Sequence, residues 1–222
     1  MLRRGMVEAV TTIFVDYDGT ITERDMLDTI AKTFGDPDVY AEVDRGLDAG
    51  QLTLNDVLRR EFEPVRAPLG QVVDWVIEHA VIRPGLHELV RVARERRWRI
   101  VIISSGFREL IVPVLAREGL ADLELICNWI EPRPSGWEAH FRDVAPCPVC
   151  GQPCKRAAVM AETNGGLAVY VGDGISDRCG AEASDLVFAR RGLATYLGQK
   201  GHPFEPFDDF HQVLAGIEQR LS

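Results

Sequence analysis

The sequence predicts an α/β fold: a doubly wound parallel sheet with a small helical segment inserted behind its first strand. Three observations carry this. The apolar run Ile13-Phe-Val15 leads into Asp16-Tyr-Asp18-Gly-Thr20, the profile of a buried parallel strand that opens into a tight turn. From Ile21 to Ala80 apolar residues recur only at helical spacing. From Pro84 onward helical and strand-like runs alternate, which implies strand–helix units with helices on both faces of a sheet.

Each element follows from local chemistry. Met26, Leu27, Ile30 and Phe34 make one helical face, ended by Gly35-Asp36-Pro37. A second helix fits Val39–Leu47, stopped near Gly50, and Thr53 caps a third carrying Leu54, Val57, Leu58 and Phe62. The fourth covers Leu69–His79, with Val72, Val73, Val76 and Ile77 turned inward. Pro84 suits the first position of a helix whose apolar residues are Leu86, Leu89, Val90 and Ala93. Arg99–Ile103 is a buried strand ending in Ser104-Ser105-Gly106, and Glu109–Glu118 is helical despite Pro113. Leu123–Cys127 is a short strand, and Trp129–Arg142 is expected to form a hairpin. Lys155–Glu162 is helical and stops at Asn164-Gly165-Gly166. Leu167–Val171 is the next strand, Ser176–Ala183 the next helix and Leu186–Ala189 a final strand. The expected division is a Rossmann-like core of residues 1–21 and 82–222, with a helical cap of residues 22–81.

Composition narrows the partners. The 222 residues are 46% hydrophobic and 27% charged, enough to bury a core. The net charge of −9, with no basic block beyond Arg94–Arg99, argues against nucleic acid or an anionic membrane as the partner. An anionic substrate would then need a local cation. No run approaches the roughly 20 apolar residues of a membrane span. Met1–Val10 carries Arg3 and Arg4 but no long apolar stretch, so a cytoplasmic location is expected.

The chemistry gathers at strand ends. Open α/β sheets place ligands at the carboxyl ends of their strands, where this sequence has Asp16 and Asp18, Ser104, and Asp173 with Asp177. Strand alternation is expected to turn Asp16 and Asp18 to the same side, crowding two carboxylates that a cation would relieve. Oxygen ligands without histidine suit Mg²⁺, with Asp16, Asp173 and a backbone carbonyl as a sensible set. A carboxylate beside that ion can attack phosphorus, while Asp18 protonates the leaving oxygen and later deprotonates water. Ser104 or Ser105, Lys155 and the hydroxyl and amide of Thr20 would stabilise the charge that develops on the phosphoryl oxygens.

Asp16-Tyr-Asp18-Gly-Thr20, Ser104, Lys155 and Gly172-Asp173-Gly-Ile-Ser-Asp177 resemble the four motifs of the haloacid dehalogenase-like phosphatase superfamily, in order and over nearly the whole chain. The helical insertion resembles its C1 cap, as in the phosphoserine phosphatase-like branch. The resemblance implies Asp16 as nucleophile, Asp18 as acid/base, Ser104 and Lys155 on phosphate, and a metal-binding set drawn from Asp16, Asp18, Asp173 and Asp177. Asp25 stands where that branch places an acidic substrate contact; equally, it is an acid favoured by a helix N-terminus. Cys150-Gly-Gln-Pro-Cys154-Lys155, Asp185-Leu-Val-Phe-Ala-Arg190 and Pro203-Phe-Glu-Pro-Phe207 look like the bacterial methionine-salvage phosphatases. The implied substrate is a small phosphorylated metabolite. Phosphoserine and phosphoethanolamine/phosphocholine phosphatases are alternatives, and a non-catalytic, zinc-organised binding protein is a rival of another class.

Five cysteines remain. Cys147, Cys150 and Cys154 have a spacing that Zn²⁺ accepts, with Cys127, His140 or Asp143 as the expected fourth ligand; reduced free thiols are the alternative.

Overall fold

The computed structural model describes residues 10–163 and 165–222. Residues 1–9, with Arg3 and Arg4, and Asn164 lie outside that range. The chain begins with strand β1 (Thr12–Val15), followed by helices α1 (Met26–Phe34), α2 (Pro37–Asp48), α3 (Leu54–Phe62), α4 (Leu69–His79) and α5 (Leu86–Arg96). Strand β2 (Arg99–Phe107) and helix α6 (Arg108–Arg117) precede a hairpin of β3 (Glu124–Arg133) and β4 (Gly136–His140). Then come α7 (Arg156–Glu162), β5 (Ala168–Gly172), α8 (Arg178–Ala181), β6 (Leu186–Ala189), α9 (Arg191–Lys200), β7 (Glu205–Pro206) and α10 (Phe210–Leu221). Among the described residues the sheet has seven strands in the order β4-β3-β2-β1-β5-β6-β7.

Helix starts follow the local chemistry. Asp36 accepts hydrogen bonds from the Asp38 and Val39 amides and Pro37 occupies the first turn of α2. Thr53 and Asp56 form a reciprocal capping box on α3. The differences from the sequence reading have physical reasons. Pro84 lies before α5, whose N-cap is Gly85 in the left-handed region, and the Pro84 carbonyl accepts from the Phe210 amide. Strand β2 runs on through Ser104-Ser105-Gly106, and β3 is one long strand rather than a short strand and a separate hairpin arm. Pro113 sits inside α6, where its ring removes one helical N–H. The helix expected over Ser176–Ala183 is a tight turn, Ile175–Asp177, followed by the single turn of α8. Helices α9 and α10 lie beyond the final strand that the sequence predicts, and bury Leu193 and Leu197, and Phe210, Val213, Leu214 and Ile217.

By compactness the chain divides into two units. The first holds the described residues up to Asp16, with Arg83–Ile102 and Pro146–Ser222. Its centre is parallel β1, with Val15 in register with Ile102 on one side and Val171 on the other. Ile13, Phe14 and Val15 are fully buried, so the strand is apolar on both faces. That register puts Asp16 level with Gly172 at the carboxyl edge, where the Asp16 amide donates to the Val171 carbonyl (2.9 Å).

The second unit is Tyr17–Ile82 with Ile103–Ala145. Helices α1–α4 therefore share a compact unit with the β3–β4 hairpin, whereas the sequence reading grouped residues 103–145 with the core. Aromatic packing explains the grouping. Phe62 of α3 meets Phe107 edge-on (centroids 4.9 Å apart) and stacks on Trp137 of β4 (6.3 Å). The Trp137 indole N–H donates to the Ala67 carbonyl (3.1 Å). Phe34 and Trp75 join α1 to α4 in another edge contact, at 5.5 Å. No described helix is long and apolar enough to cross a membrane.

Candidate active site

In the first unit, four functional side chains come together at the carboxyl edges of β1 and β5. Lys155, directly before α7, is 2% exposed, and its ammonium donates to Asp16 Oδ1 and to Asp177 Oδ1 (2.7 Å). Asp177 is fully buried and its acceptor capacity is filled. Oδ1 also takes the Tyr170 hydroxyl (2.8 Å), and Oδ2 takes the amides of Asp173 (3.0 Å) and Gly174 (2.9 Å). Asp177 thus holds Lys155 with one oxygen and shapes the Asp173 loop with the other. Gly172 leaves room for this, since a Cβ there would lie 2.6 Å from Asp177 Cγ.

Asp16, Asp173 and Asp177 bring carboxylate oxygens within 4.8 Å of one another. Burial, then the Asp177 charge, hold the Asp16 carboxyl well above its ordinary value, against the opposing pull of Lys155. Burial alone would lower the Lys155 ammonium, but Asp16 and Asp177 outweigh it and hold the lysine raised. One buried ammonium offsets one of three carboxylates. Arg191, on a strained φ of 44°, adds a half-exposed guanidinium 3.4 Å from Asp173 Oδ2. The remaining negative charge and all-oxygen donors fit a hard divalent cation, which Asp16 and Asp173 would hold.

In the second unit, the segment after Asp16 is a turn and not a continuation of the strand. Strand β1 ends at Val15, Asp18 is extended (φ −75°, ψ 122°) and Gly19 is left-handed (φ 75°). The turn, and not strand alternation, therefore sets the direction of Asp18. Thr22 locks it: its hydroxyl oxygen accepts from the Gly19 amide (3.2 Å), and the hydroxyl donates to the Arg24 carbonyl (2.7 Å). Asp18 Oδ1 accepts from the amide of Met26, the first residue of α1 (3.2 Å). Ser104 Oγ accepts from the Gly106 amide (2.8 Å), which leaves the hydroxyl hydrogen as its donor. A Cβ on Gly106 would lie 3.0 Å from Asp18 Oδ2 and 3.1 Å from Ser104 Oγ, so both groups converge on this glycine.

The remaining expected residues are distributed as follows. Thr20 is fully buried. The Ser105 carbonyl accepts from Asn128 Nδ2 (2.8 Å), whose Oδ1 in turn accepts from the Arg142 amide (3.1 Å). Ser104, 3% exposed and next to the Asp18 carboxylate at Gly106, is the better placed serine. Asp25 is the N-cap of α1 and accepts from the Asp28 amide (2.9 Å), the local role open to an acid at that place. Asp18 is not among the grouped carboxylates. Sequence reasoning missed Tyr170, which reads as one more apolar residue of β5, and Arg191, for which only proximity to Asp173 speaks.

The cysteines correct one expectation. Cys147, Cys150 and Cys154 do gather, but the fourth member is Cys179 of α8, not Cys127, His140 or Asp143. His140 instead groups with Glu131 and Glu138 across the hairpin.

A family model described as haloacid dehalogenase-like hydrolase matches residues 13–182, which contain every group of this site except Arg191. The chain belongs to the haloacid dehalogenase-like hydrolases. Among curated relatives, a Microcystis aeruginosa protein named 2-hydroxy-3-keto-5-methylthiopentenyl-1-phosphate phosphatase is 31% identical over 90% of this chain and 94% of its own length. A protein of that name from Brevibacillus brevis is 28% identical over 93% of this chain and 95% of its own. The polyol phosphate phosphatase PYP1 of Saccharomyces cerevisiae is 27% identical, covering 98% of this chain and 95% of its own. A phosphoserine phosphatase solved as a phospho-aspartyl intermediate analogue superimposes with a TM-score of 0.72 at 18% identity, over 94% of this chain and 99% of its own. That likeness shows the fold: an α/β haloacid dehalogenase-like architecture.

Proposed function

We propose that this hydrolase is a Mg²⁺-dependent phosphatase that cleaves a small phosphorylated metabolite through an aspartyl-phosphate on Asp16. The foremost substrate is the methionine-salvage compound 2-hydroxy-3-keto-5-methylthiopentenyl-1-phosphate. The observation that carries this reading is the buried Asp16–Lys155–Asp177 constellation at the strand edge. Asp16 attacks phosphorus as the ester P–O bond breaks, and Asp18 gives a proton to the leaving oxygen. Asp18 then takes a proton from the water that hydrolyses the acyl phosphate, and Asp16 is regenerated. Lys155 neutralises Asp16 and pairs with the phosphoryl oxygens, and Ser104 donates to them. When bound, Mg²⁺ would be held by Asp16 and Asp173 and supply positive charge to the transferring group. Asp177, its oxygens already filled, orients Asp173 and Lys155. Residues 22–81 are the cap of this reading, and their role would be to select the leaving group. The unbridged thiols support a reducing, cytoplasmic setting.

The names of the relatives favour the methylthiopentenyl compound, with polyol phosphates second. A phosphate-release screen tests this over those compounds with phosphoserine, phosphoethanolamine and phosphocholine. Mg²⁺-dependent turnover of one compound, reduced by on the order of 10⁴-fold or more in Asp16→Asn, is the expected result. No turnover of any compound by folded protein with Mg²⁺ present would overturn the reading in favour of a binding role.

A further inference from the structure

The active-site lysine directly follows one member of a second cluster. The Sγ atoms of Cys147, Cys150, Cys154 and Cys179 lie within 4.8 Å of one another, and none is in a disulfide. A tetrahedral zinc with bonds of about 2.3 Å holds its sulfurs about 3.8 Å apart, so small side-chain adjustments close the site. Core packing does not account for the grouping, because Cys150 is exposed and Cys154 only half-buried.

The backbone is already shaped for a thiolate. In Cys147-Pro-Val-Cys150-Gly151, the Val149 amide donates to Cys147 Sγ (3.4 Å). The Gly151 amide closes the turn onto the Cys147 carbonyl (2.8 Å), and Gly151 takes the left-handed φ of 71° needed to leave it. The Cys147 amide donates in turn to the Gln152 carbonyl (3.0 Å), which fixes the other side of the loop. Four thiolates on Zn²⁺ carry a net charge of −2, and cations flank the group. Arg156 Nη1 donates to the Cys179 carbonyl (3.5 Å). Arg178, next to Cys179 in the sequence, has a buried Nε with no hydrogen-bond partner among the described residues.

We infer that Cys147, Cys150, Cys154 and Cys179 bind one Zn²⁺ as a closed structural site that fastens the 147–154 loop to α8. Binding releases four thiol protons and forms four Zn–S bonds, with no change of oxidation state. Cys154 is bonded to Lys155, and Cys179 lies two residues past Asp177. The metal therefore fixes both ends of the Lys155–Asp177 ion pair, a positioning role that rests on the phosphatase reading.

The test is the metal content of the full chain, purified reduced and without chelator. About one zinc per chain is expected, retained in Cys127→Ser and lost in Cys179→Ser, whose affinity falls at least about 10-fold. Should Cys179→Ser fail to fold, cobalt titration of metal-stripped wild type is the second measurement, and the visible bands of a tetrahedral tetrathiolate are expected. In hydrogen exchange the 147–155 segment loses protection when zinc is stripped. Four findings would each overturn the site: folded, reduced protein that takes up neither zinc nor cobalt; Cys179→Ser that keeps its zinc; iron in place of zinc; or a native mass showing two disulfides. None of these readouts uses substrate, so absence of phosphatase turnover leaves the outcome distinct.

Discussion

Asp16, Asp173 and Asp177 in one unit, and Glu131, Glu138 and His140 in the other, each bring three ligand atoms within 4.8 Å. Their surroundings differ. Around the aspartates, Lys155 is 2% exposed and Asp177 not at all, and every acceptor position of Asp177 is filled. On the hairpin, Arg133 bridges Glu131 (3.0 Å) and Glu138 (2.6 Å) with all three side chains about half exposed. Water screens that second cluster, and flexible side chains lose entropy to hold it, so it is worth little. Proximity of acids does not make a site. Burial, which makes each unmet charge costly, together with a hydrogen-bond network that fixes each oxygen, does.

This contrast can be broken or sharpened by substitution. Lys155→Met should have the largest effect on stability, about 3–5 kcal/mol, because Asp16 and Asp177 are left buried without their cation. Urea denaturation without Mg²⁺ measures it, and a loss below about 1 kcal/mol would contradict the network's role. Tyr170→Phe removes one hydrogen bond from a buried carboxylate and should cost about 1.5–3 kcal/mol, with little change in packing.

Glu61 offers a case between the two clusters. Burial, then the charges of Asp28, Asp25 and Asp44, push its carboxyl up to about 7. The folded state then binds more protons than the unfolded state between the ordinary carboxylate range and about pH 7, so this group's contribution falls as pH rises through that window. Glu61→Gln should lack this decline. Its melting temperature relative to wild type should rise from pH 5 to pH 8, and a constant difference would rule the effect out. Arg133→Ala should change stability least, by about 1 kcal/mol or less, and that change should shrink in high salt.

Several elements were legible because their signals are local. Leu69–His79 and Leu186–Ala189 have the bounds that periodicity and turn residues assign. Thr53 caps α3 as its position before an apolar helical face implies. Helix α10 repeats Phe210, Val213, Leu214 and Ile217 at helical spacing, a local signal of the same kind. The direction of Asp18 was not legible from strand period, because β1 ends before Asp16 and the left-handed Gly19 redirects the chain.

By itself the sequence determined the apolar strand that ends in Asp16, the helix caps and the hairpin, since each depends on residues within a few positions of one another. Tertiary structure decided the rest. Lys155 meets Asp16 across 139 residues and Asp177 across 22, because parallel register brings the carboxyl ends of β1 and β5 level. Cys179 completes the thiol cluster because the turn after β5 leads α8 back to the loop that ends at Lys155. Such pairings carry no local pattern: they exist only once burial of the apolar strands has fixed which edges coincide.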